Sequence, residues 1–298
     1  MNAWEPTAPA REAGTEPEVF QISRPPADVT ASALVFASPH SGRCYPADLI
    51  EASRLDAHAL RRSEDAHVDD LIASAPAHGA TVIAASLARA WFDVNREPWE
   101  LDAAMFADDL PAYARARSTR VAAGLGSIAR IVSDGQEIYR RKLRFAEAVA
   151  RVEAVHKPYH QALHDLVVSA REAHGVAILI DWHSMPSAAV KGSGGRQGCD
   201  LVLGDRFGAA CDPSLPRLVE RTFQALGYRV ARNAPYAGGY TTEFYGRPAR
   251  RVHALQVEIN RALYMDERTL APTAGFAGLQ KDLETVFSAL AAQNWAAI

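Results

Sequence analysis

Two histidines in this sequence each follow a short run of apolar residues. His40 comes shortly after the run 33–37, and His183 comes shortly after the run 176–180. Asp181 precedes His183 by two residues, so on a strand both side chains would project from the same face. A carboxylate in that position often orients a metal-bound imidazole. Two histidines at separate strand ends therefore predict a metal site better than either histidine does alone.

A hydrolytic zinc site usually has three protein ligands and one water, so a carboxylate would complete this site. Glu64 and Asp65 are the acidic candidates, and they follow His40 at the start of a predicted amphipathic helix. Acidic side chains are also common in the first turn of a helix because they favour its dipole. The residues alone therefore leave open which of the two is a ligand, and whether either is.

Three further histidines form a second candidate cluster. His156, His160 and His164 recur every four residues, so they would line one face of a helix. Imidazoles on neighbouring helical turns can share a metal in HExxH helices, but this sequence has no HExxH. We therefore predict a surface or groove stripe, with a metal site on it as the alternative. Cys44 lies near His40, but nothing in the sequence indicates an activated thiol there.

Strands and helices alternate along the chain. Short apolar runs predict strands, and apolar residues that recur every three or four positions predict helices. The predicted strands are 33–37, 81–85, 176–180, 201–204, 228–232 and 252–259. The predicted helices are 56–77, 136–173, 213–226 and 274–294. We expect Pro158 to kink or divide the second helix and Gly175 to end it. The alternation is typical of an α/β domain with helices on both faces of a central sheet.

One domain accounts for most of the chain. The sequence has no repeat, no Gly/Ser linker and no shift in composition, so we predict a single domain over residues 28–298. Residues 1–27 are rich in Pro, Ala and Glu and are expected to be loosely ordered. Ligands of open α/β sheets bind at the carboxyl ends of the strands. The polar groups predicted at such ends are His40, residues 93–96, His183 and Glu258.

The composition excludes several classes of protein. The chain has 298 residues and a net charge of −3, and 48% of its residues are hydrophobic, so it is not a disordered or strongly basic chain. This balance indicates neither nucleic-acid nor membrane binding. The three cysteines form no CxxC pair, and the first residues do not resemble a secretory signal. We expect a cytoplasmic protein with a small-molecule ligand, and the sequence leaves open whether it is a homo-oligomer.

Six short motifs occur in an order that resembles the N-formylglutamate amidohydrolase family. They are residues 38–42 (SPHSG), 63–69 (SEDAHVD), 93–98 (DVNREP), 181–185 (DWHSM), 238–242 (GGYTT) and 256–261 (QVEINR). The family is similar in fold to zinc carboxypeptidases and aspartoacylases, which implies a three-layer α/β/α domain with a mixed sheet. It also implies hydrolysis of the formamide of N-formyl-L-glutamate to formate and L-glutamate in histidine breakdown.

The resemblance also implies roles for particular residues. His40 and His183 match the imidazole ligands, and Asp65 matches the carboxylate ligand, with Glu64 as the alternative. Glu258 resembles the general base of the carboxypeptidases. One zinc ion per chain is expected, although another divalent metal is possible. His40 and Asp65 are further apart than the corresponding ligands of carboxypeptidases, so the chain must bring Asp65 back to His40.

A substrate with two carboxylates suits recognition by arginine, because a guanidinium can bind a carboxylate through two hydrogen bonds. Arg96 and Arg261 are the stronger candidates because each adjoins a strand end. The complete predicted set is Arg89, Asn95, Arg96, Arg140, Tyr240, Thr241 and Arg261. Tyr240 and Thr241 lie in a Gly-rich loop that is predicted to close over the substrate.

Two other functions remain open at this stage. One is a related zinc amidohydrolase or deacylase that acts on another N-acyl amino acid. The other is a non-catalytic protein that binds a metal or a small ligand. The presence of Glu258 argues against the second, because binding alone does not require a base.

Overall fold

A mixed sheet of seven strands crosses the part of the chain that the computed structural model describes, residues 18–114, 117–132, 135–191 and 198–298. The strands are β1 (Phe20–Ser23), β2 (Leu34–Ser38), β3 (Thr81–Ala85), β4 (Ala177–Met185), β5 (Leu201–Gly204), β6 (Val230–Arg232) and β7 (Val252–Asn260). Their order in the sheet is β1-β3-β2-β4-β7-β5-β6. The predicted strands are thus confirmed, with β4 extending through His183.

The four central strands β3, β2, β4 and β7 are parallel, whereas β1 is antiparallel to β3 and β5 is antiparallel to β7. The carboxyl ends of the central strands therefore meet at one edge. The register of β4 and β7 places His183 beside Glu258 and Asp181 beside Gln256. Nearly all residues of these two strands are buried, as expected for parallel strands covered on both faces.

Helices cover both faces of the sheet. They are α1 (Ala47–Ala52), α2 (Ala57–Arg61), α3 (Val68–Leu71), α4 (Thr119–Ala122), α5 (Phe145–Arg151), α6 (Lys157–His174), α7 (Ser214–Ala225), α8 (Tyr240–Tyr245) and α9 (Gly275–Ala292). One core lies between the sheet and α3, α7 and α9, and the other lies between the sheet and α5 and α6. Leu179 of β4 packs into the second core. Asp181 and His183 are two and four residues further along the strand, so they project from the same face as Leu179. The predicted α/β arrangement is confirmed.

Two predicted helices differ from those in the structure. The segment 56–77 is not one helix, because it is interrupted between α2 and α3, where His67 has a left-handed backbone with φ 64°. The segment 136–173 becomes helical only at Phe145, since residues before it form isolated bridges to other parts of the chain. A π-helical turn over Val152–His156 then joins α5 to α6, directly before Pro158.

Strand β1 lies within the segment that was expected to be loosely ordered. Phe20–Ser23 pairs with β3 and forms one edge of the sheet, whereas residues 1–17 lie outside the described part of the chain. Its side chains alternate between half-buried and exposed, so the run is too short and too polar to stand out in the sequence. Within the described ranges, no helix has both the length and the apolar character needed to cross a membrane.

Candidate active site

His40, Asp65 and His183 converge at the carboxyl ends of β2 and β4. The Nδ1 atoms of His40 and His183 lie 3.3 Å and 3.0 Å from the same Asp65 oxygen, Oδ2. One potential ligand atom from each residue lies within 4.8 Å of the others, and all three side chains are buried. Two imidazole nitrogens and one carboxylate oxygen form a donor set that suits a divalent metal such as zinc.

A backbone contact and an arginine bring Asp65 to this position. The Asp65 N–H donates to the His40 carbonyl oxygen over 3.0 Å, which closes the long sequence separation between the two residues. Arg261 Nη2 donates to Asp65 Oδ1 over 2.9 Å. Burial alone would raise the pKa of the Asp65 carboxyl, but its contacts with His183, His40 and Arg89 hold the pKa well below the usual value. The Asp65 carboxyl is therefore ionised.

Glu64 points away from the histidines, although it is adjacent to Asp65 in the sequence. Its carboxylate accepts hydrogen bonds from Arg61 Nε at 3.0 Å and from the Tyr45 hydroxyl at 2.5 Å. Both oxygens are thus engaged by α2 and the loop before α1. The geometry therefore groups Asp65, and not Glu64, with the two histidines, and Glu64 forms an ion pair with Arg61.

Each ligand histidine has a carboxylate behind it. His40 Nε2 lies 2.6 Å from Asp93 Oδ1, and His183 Nε2 lies 3.1 Å from Asp181 Oδ2. On His40, a proton on Nε2 would bind Asp93 and leave the Nδ1 lone pair free for a metal. His40 Nδ1 is buried, and although it lies 3.3 Å from Asp65 Oδ2 it makes no well-aligned hydrogen bond, as suits a nitrogen whose lone pair can bind a metal ion. The described residues therefore fit the metal that the sequence implies.

Asn95 connects the His183 side of the site to α8. Its Nδ2 donates to Asp181 Oδ2 over 3.0 Å and lies 2.9 Å from His183 Nε2, and its Oδ1 accepts the Thr241 N–H over 2.7 Å. A side chain at Gly239 would approach the Asn95 amide to 2.8 Å, so only glycine leaves room for it. Asn95 and Thr241 are both fully enclosed, and they position Asp181 rather than face open solvent.

Glu258 lies on β7 beside His183 and is buried. Its Oε1 accepts a hydrogen bond from Gln256 Nε2 over 2.8 Å. Burial raises the pKa of Glu258 to about 7, against the opposing positive charges of His183 and Arg89. A carboxylate with such a pKa can both accept and return a proton near neutral pH.

The predicted arginines have different surroundings. Arg89 donates to Asp93 over 2.7 Å, with a side chain that is 20% exposed. Arg96 Nη1 donates to the Asn95 carbonyl, and its Nη2 lies 3.8 Å from Asp93 Oδ2. Arg261 donates hydrogen bonds to Asp65, Ser184 and backbone carbonyls. It therefore helps to hold the Asp65 carboxylate in place, and these N–H groups do not face a substrate.

Three predicted substrate-binding residues do not have the expected surroundings. Arg140 donates to the Ser53 carbonyl and lines a separate groove of about 450 Å³, so its contacts give no support for substrate binding. Tyr240 and Thr241 do not form a flexible Gly-rich loop but begin α8. Tyr240 packs against the rings of His156 and His160 at centroid distances of 5.7 Å and 5.2 Å.

Tyr236 is a neighbour of the site that the sequence did not indicate. Its phenol is half-buried, and burial raises its pKa, with smaller contributions from the negative charges of Glu258 and Asp65. The ring packs with Met185 and Val202, and Val202 is the β5 residue paired with Glu258. No spacing signal marks Tyr236, because only the loop after β6 brings it beside Glu258.

Comparison with known proteins now identifies the relatives of this chain. A model of the N-formylglutamate amidohydrolase family matches residues 32–265. The chain belongs to this family.

Individual relatives cover nearly the same length. The N-formylglutamate deformylase of Pseudomonas aeruginosa is 31% identical over 261 residues, which are 86% of this chain and 90% of that protein. The N-formylglutamate deformylase of Pseudomonas putida is 30% identical over 237 residues, which are 78% and 82% of the two chains. The crystal structure of an N-formylglutamate amidohydrolase from Ralstonia eutropha matches with a TM-score of 0.85 and 39% identity, covering 92% of this chain and 97% of that one. The family resemblance seen in the motifs is thereby confirmed.

Proposed function

We propose that this chain is a zinc-dependent deformylase that hydrolyses N-formyl-L-glutamate to formate and L-glutamate. The observation that carries the proposal is the meeting of His40, Asp65 and His183 beside the buried carboxyl of Glu258. The family supplies the substrate, since the relatives named for N-formylglutamate cover most of the chain. On the same grounds we place the reaction in histidine degradation.

Zinc held by His40, Asp65 and His183 would supply an acidified water and polarise the formyl oxygen. Glu258 accepts the proton of the attacking water, whose oxygen forms a bond to the formyl carbon. When the C–N bond breaks, Glu258 returns that proton to the departing amine nitrogen. Formate and L-glutamate are the products, and Glu258 regains its starting state. Gln256 holds the Glu258 carboxylate by its 2.8 Å hydrogen bond during both transfers.

Arg89 and Arg96 are the cations best placed to bind the substrate carboxylates. Their side chains are 20% and 13% exposed, whereas that of Arg261 is 7% exposed and committed to Asp65. Both lie beside Asp93, which helps to orient each guanidinium. An acidic N-formyl amino acid would therefore bind better than an apolar one.

The proposal is tested by incubating the purified protein with N-formyl-L-glutamate and measuring formate and glutamate release. N-formyl-L-leucine and N-acetyl-L-glutamate serve as comparison substrates, because a deacylase of another N-acyl amino acid would prefer one of them. Removal of metal by a chelator should abolish turnover, and added Zn²⁺ should restore it. Turnover that persists in metal-free protein would contradict the metal dependence.

The role of Glu258 is tested by Glu258→Gln, which keeps the shape of the side chain but removes its basic oxygen. General acid–base catalysis contributes about 10²- to 10⁴-fold, so we expect a loss of that order in kcat. Zinc content measured by elemental analysis should remain the same, because Glu258 is outside the ligand set. Activity close to that of the unmodified protein would show that another group is the base.

Tight binding of N-formyl-L-glutamate without turnover by the unmodified protein would instead support a non-catalytic role.

A further inference from the structure

The bent helical segment formed by α5, the π-helical turn and α6 holds one loop of the active site by three hydrogen bonds. The loop consists of residues 91–96 and is called the 91–96 loop below. The three bonds run from Arg151 Nη1 to the Trp91 carbonyl (3.0 Å), from His160 Nε2 to the Val94 carbonyl (2.7 Å) and from His156 Nε2 to the Arg96 carbonyl (3.2 Å). Two of these donors, His156 and His160, belong to the stripe of three histidines predicted from their four-residue spacing.

The 91–96 loop carries the partners of both ligand histidines. Asp93 Oδ1 contacts His40 Nε2 at 2.6 Å and also accepts the Asn95 N–H over 2.9 Å. The Asn95 side chain contacts both Asp181 and His183. A shift of this loop would thus alter the orientation of both imidazoles at once, because outer hydrogen bonds fix the angle of a ligand ring.

The helical segment places the imidazoles of His156 and His160 side by side, so that both can donate to the 91–96 loop. His156 and His160 are one turn apart, and their ring centroids lie 4.3 Å apart. The π-helical turn Val152–His156 lies between Arg151 and His160 and so sets the offset between the donors. Such turns are often found at functional sites. Of the predicted surface or groove stripe, His156 is buried, whereas His164 is exposed.

The contacts also determine the protonation of His160. A carbonyl can only accept, so its partner Nε2 must carry a proton. The Tyr245 hydroxyl lies 3.0 Å from both His160 Nδ1 and the His160 carbonyl oxygen, so its one proton can be donated to only one of them at a time. Burial lowers the pKa of His160 to about 3 and the pKa of His156 to about 4, so both imidazoles are neutral at physiological pH.

We propose that His156 and His160 are positioning residues that hold the 91–96 loop in the geometry required for metal binding. They act through Asp93 and Asn95, because their own hydrogen bonds in the described residues go to the backbone carbonyls of Arg96 and Val94. The catalytic consequence rests on the proposed function, whereas the effect on metal affinity does not. Metal affinity is therefore the primary measurement.

The test compares His160→Gln with His160→Leu, using His164→Leu as the matched control on the same helix. Glutamine keeps an N–H donor near the position of Nε2, and leucine removes it. Zinc affinity is measured by competition with a chromophoric chelator, well below the melting temperature of each variant. We expect about a 10-fold weaker zinc affinity in His160→Leu, at the lower end of the range for outer partners of metal ligands. His160→Gln and His164→Leu should bind zinc as the unmodified protein does.

Equal zinc affinity in His160→Leu and His164→Leu would overturn the proposal, as would equal weakening in His160→Leu and His160→Gln. If His160→Leu does not fold, the pair His156→Gln and His156→Leu is measured in the same way, with the same expected contrast. An unmodified protein that binds zinc without deformylating N-formyl-L-glutamate would overturn the proposed function alone.

Discussion

The neutral imidazole of His160 predicts a specific loss of stability in acid. Its pKa in the folded protein is about 3, because burial disfavours the charged form and the neighbouring His156 adds to the effect. In the unfolded chain the pKa of a histidine is about 6.5. The unfolded state therefore takes up the proton first as the pH falls below about 6.5. The contribution of His160 to stability is fully present above that pH and is lost progressively down to pH 3.

The size of the effect follows from these pKa values. One unit of pKa difference corresponds to about 1.4 kcal/mol. Between pH 7 and pH 5 only the unfolded form of His160 titrates, and the free energy of unfolding should fall by about 2 kcal/mol from this residue. His156, with a pKa of about 4, should contribute a similar loss over the same interval. A variant that replaces either histidine should lack that residue's pH-dependent contribution to the free energy of unfolding.

The assay is urea unfolding of metal-free protein at pH 7 and at pH 5, so that acid release of metal does not enter. The compared proteins are the unmodified chain, His160→Gln and the exposed-site control His164→Gln. We expect the unmodified chain and the control to lose about 2 kcal/mol more on acidification than His160→Gln does. An equal loss in the unmodified chain and His160→Gln would refute the reasoning, since it would mean that His160 does not remain neutral in the folded state.

Two further predictions concern the metal ligand and its surroundings. Asp65→Asn should weaken zinc affinity by more than the roughly 10- to 100-fold seen when an outer partner of a metal ligand is replaced. Glu64→Gln should bind zinc as before, but its free energy of unfolding should fall by about 1 to 3 kcal/mol because the ion pair is lost. Chelator competition and urea unfolding distinguish them, and the opposite order of zinc affinities would make Glu64 the ligand. Gly239→Ala should displace the Asn95 amide, costing about 1 to 3 kcal/mol and lowering kcat, because the new Cβ would lie 2.8 Å from it. Unfolding and kinetic measurements on Gly239→Ala that match the unmodified protein would show that the loop accommodates the methyl group.

The strands and the positions of the candidate site residues at their ends could be predicted because local patterns dictate them. Apolar runs such as those of β2 and β3 are buried on both faces of a parallel sheet, so they stand out in the sequence. His40, His183 and Glu258 could be located because each lies near the carboxyl end of such a strand. Strand β1 lacks this signal, since a partly exposed edge strand needs no continuous apolar run.

Other features depend on partners that are distant in the sequence. Residues 136–144 have a composition compatible with a helix, but bridges to segments far away in the chain keep them extended. Arg261 adjoins a strand end, as a substrate-binding residue would, yet its donors are occupied by Asp65 and Ser184. A local pattern cannot show this, because Asp65 and Ser184 are both far from Arg261 in the sequence.

The sequence by itself determined the family, the α/β architecture and the two histidines at the strand ends. Only the tertiary structure shows that Asp65 rather than Glu64 lies with the histidines, because the two carboxylates are adjacent in the chain but project toward the histidines and Arg61, respectively. In the same way, the four-residue spacing showed that His156 and His160 share a helix face, but not what that face contacts. The physical reason is that periodicity sets the direction of a side chain relative to its own element, whereas its hydrogen-bond partner is set by the packing of that element against others.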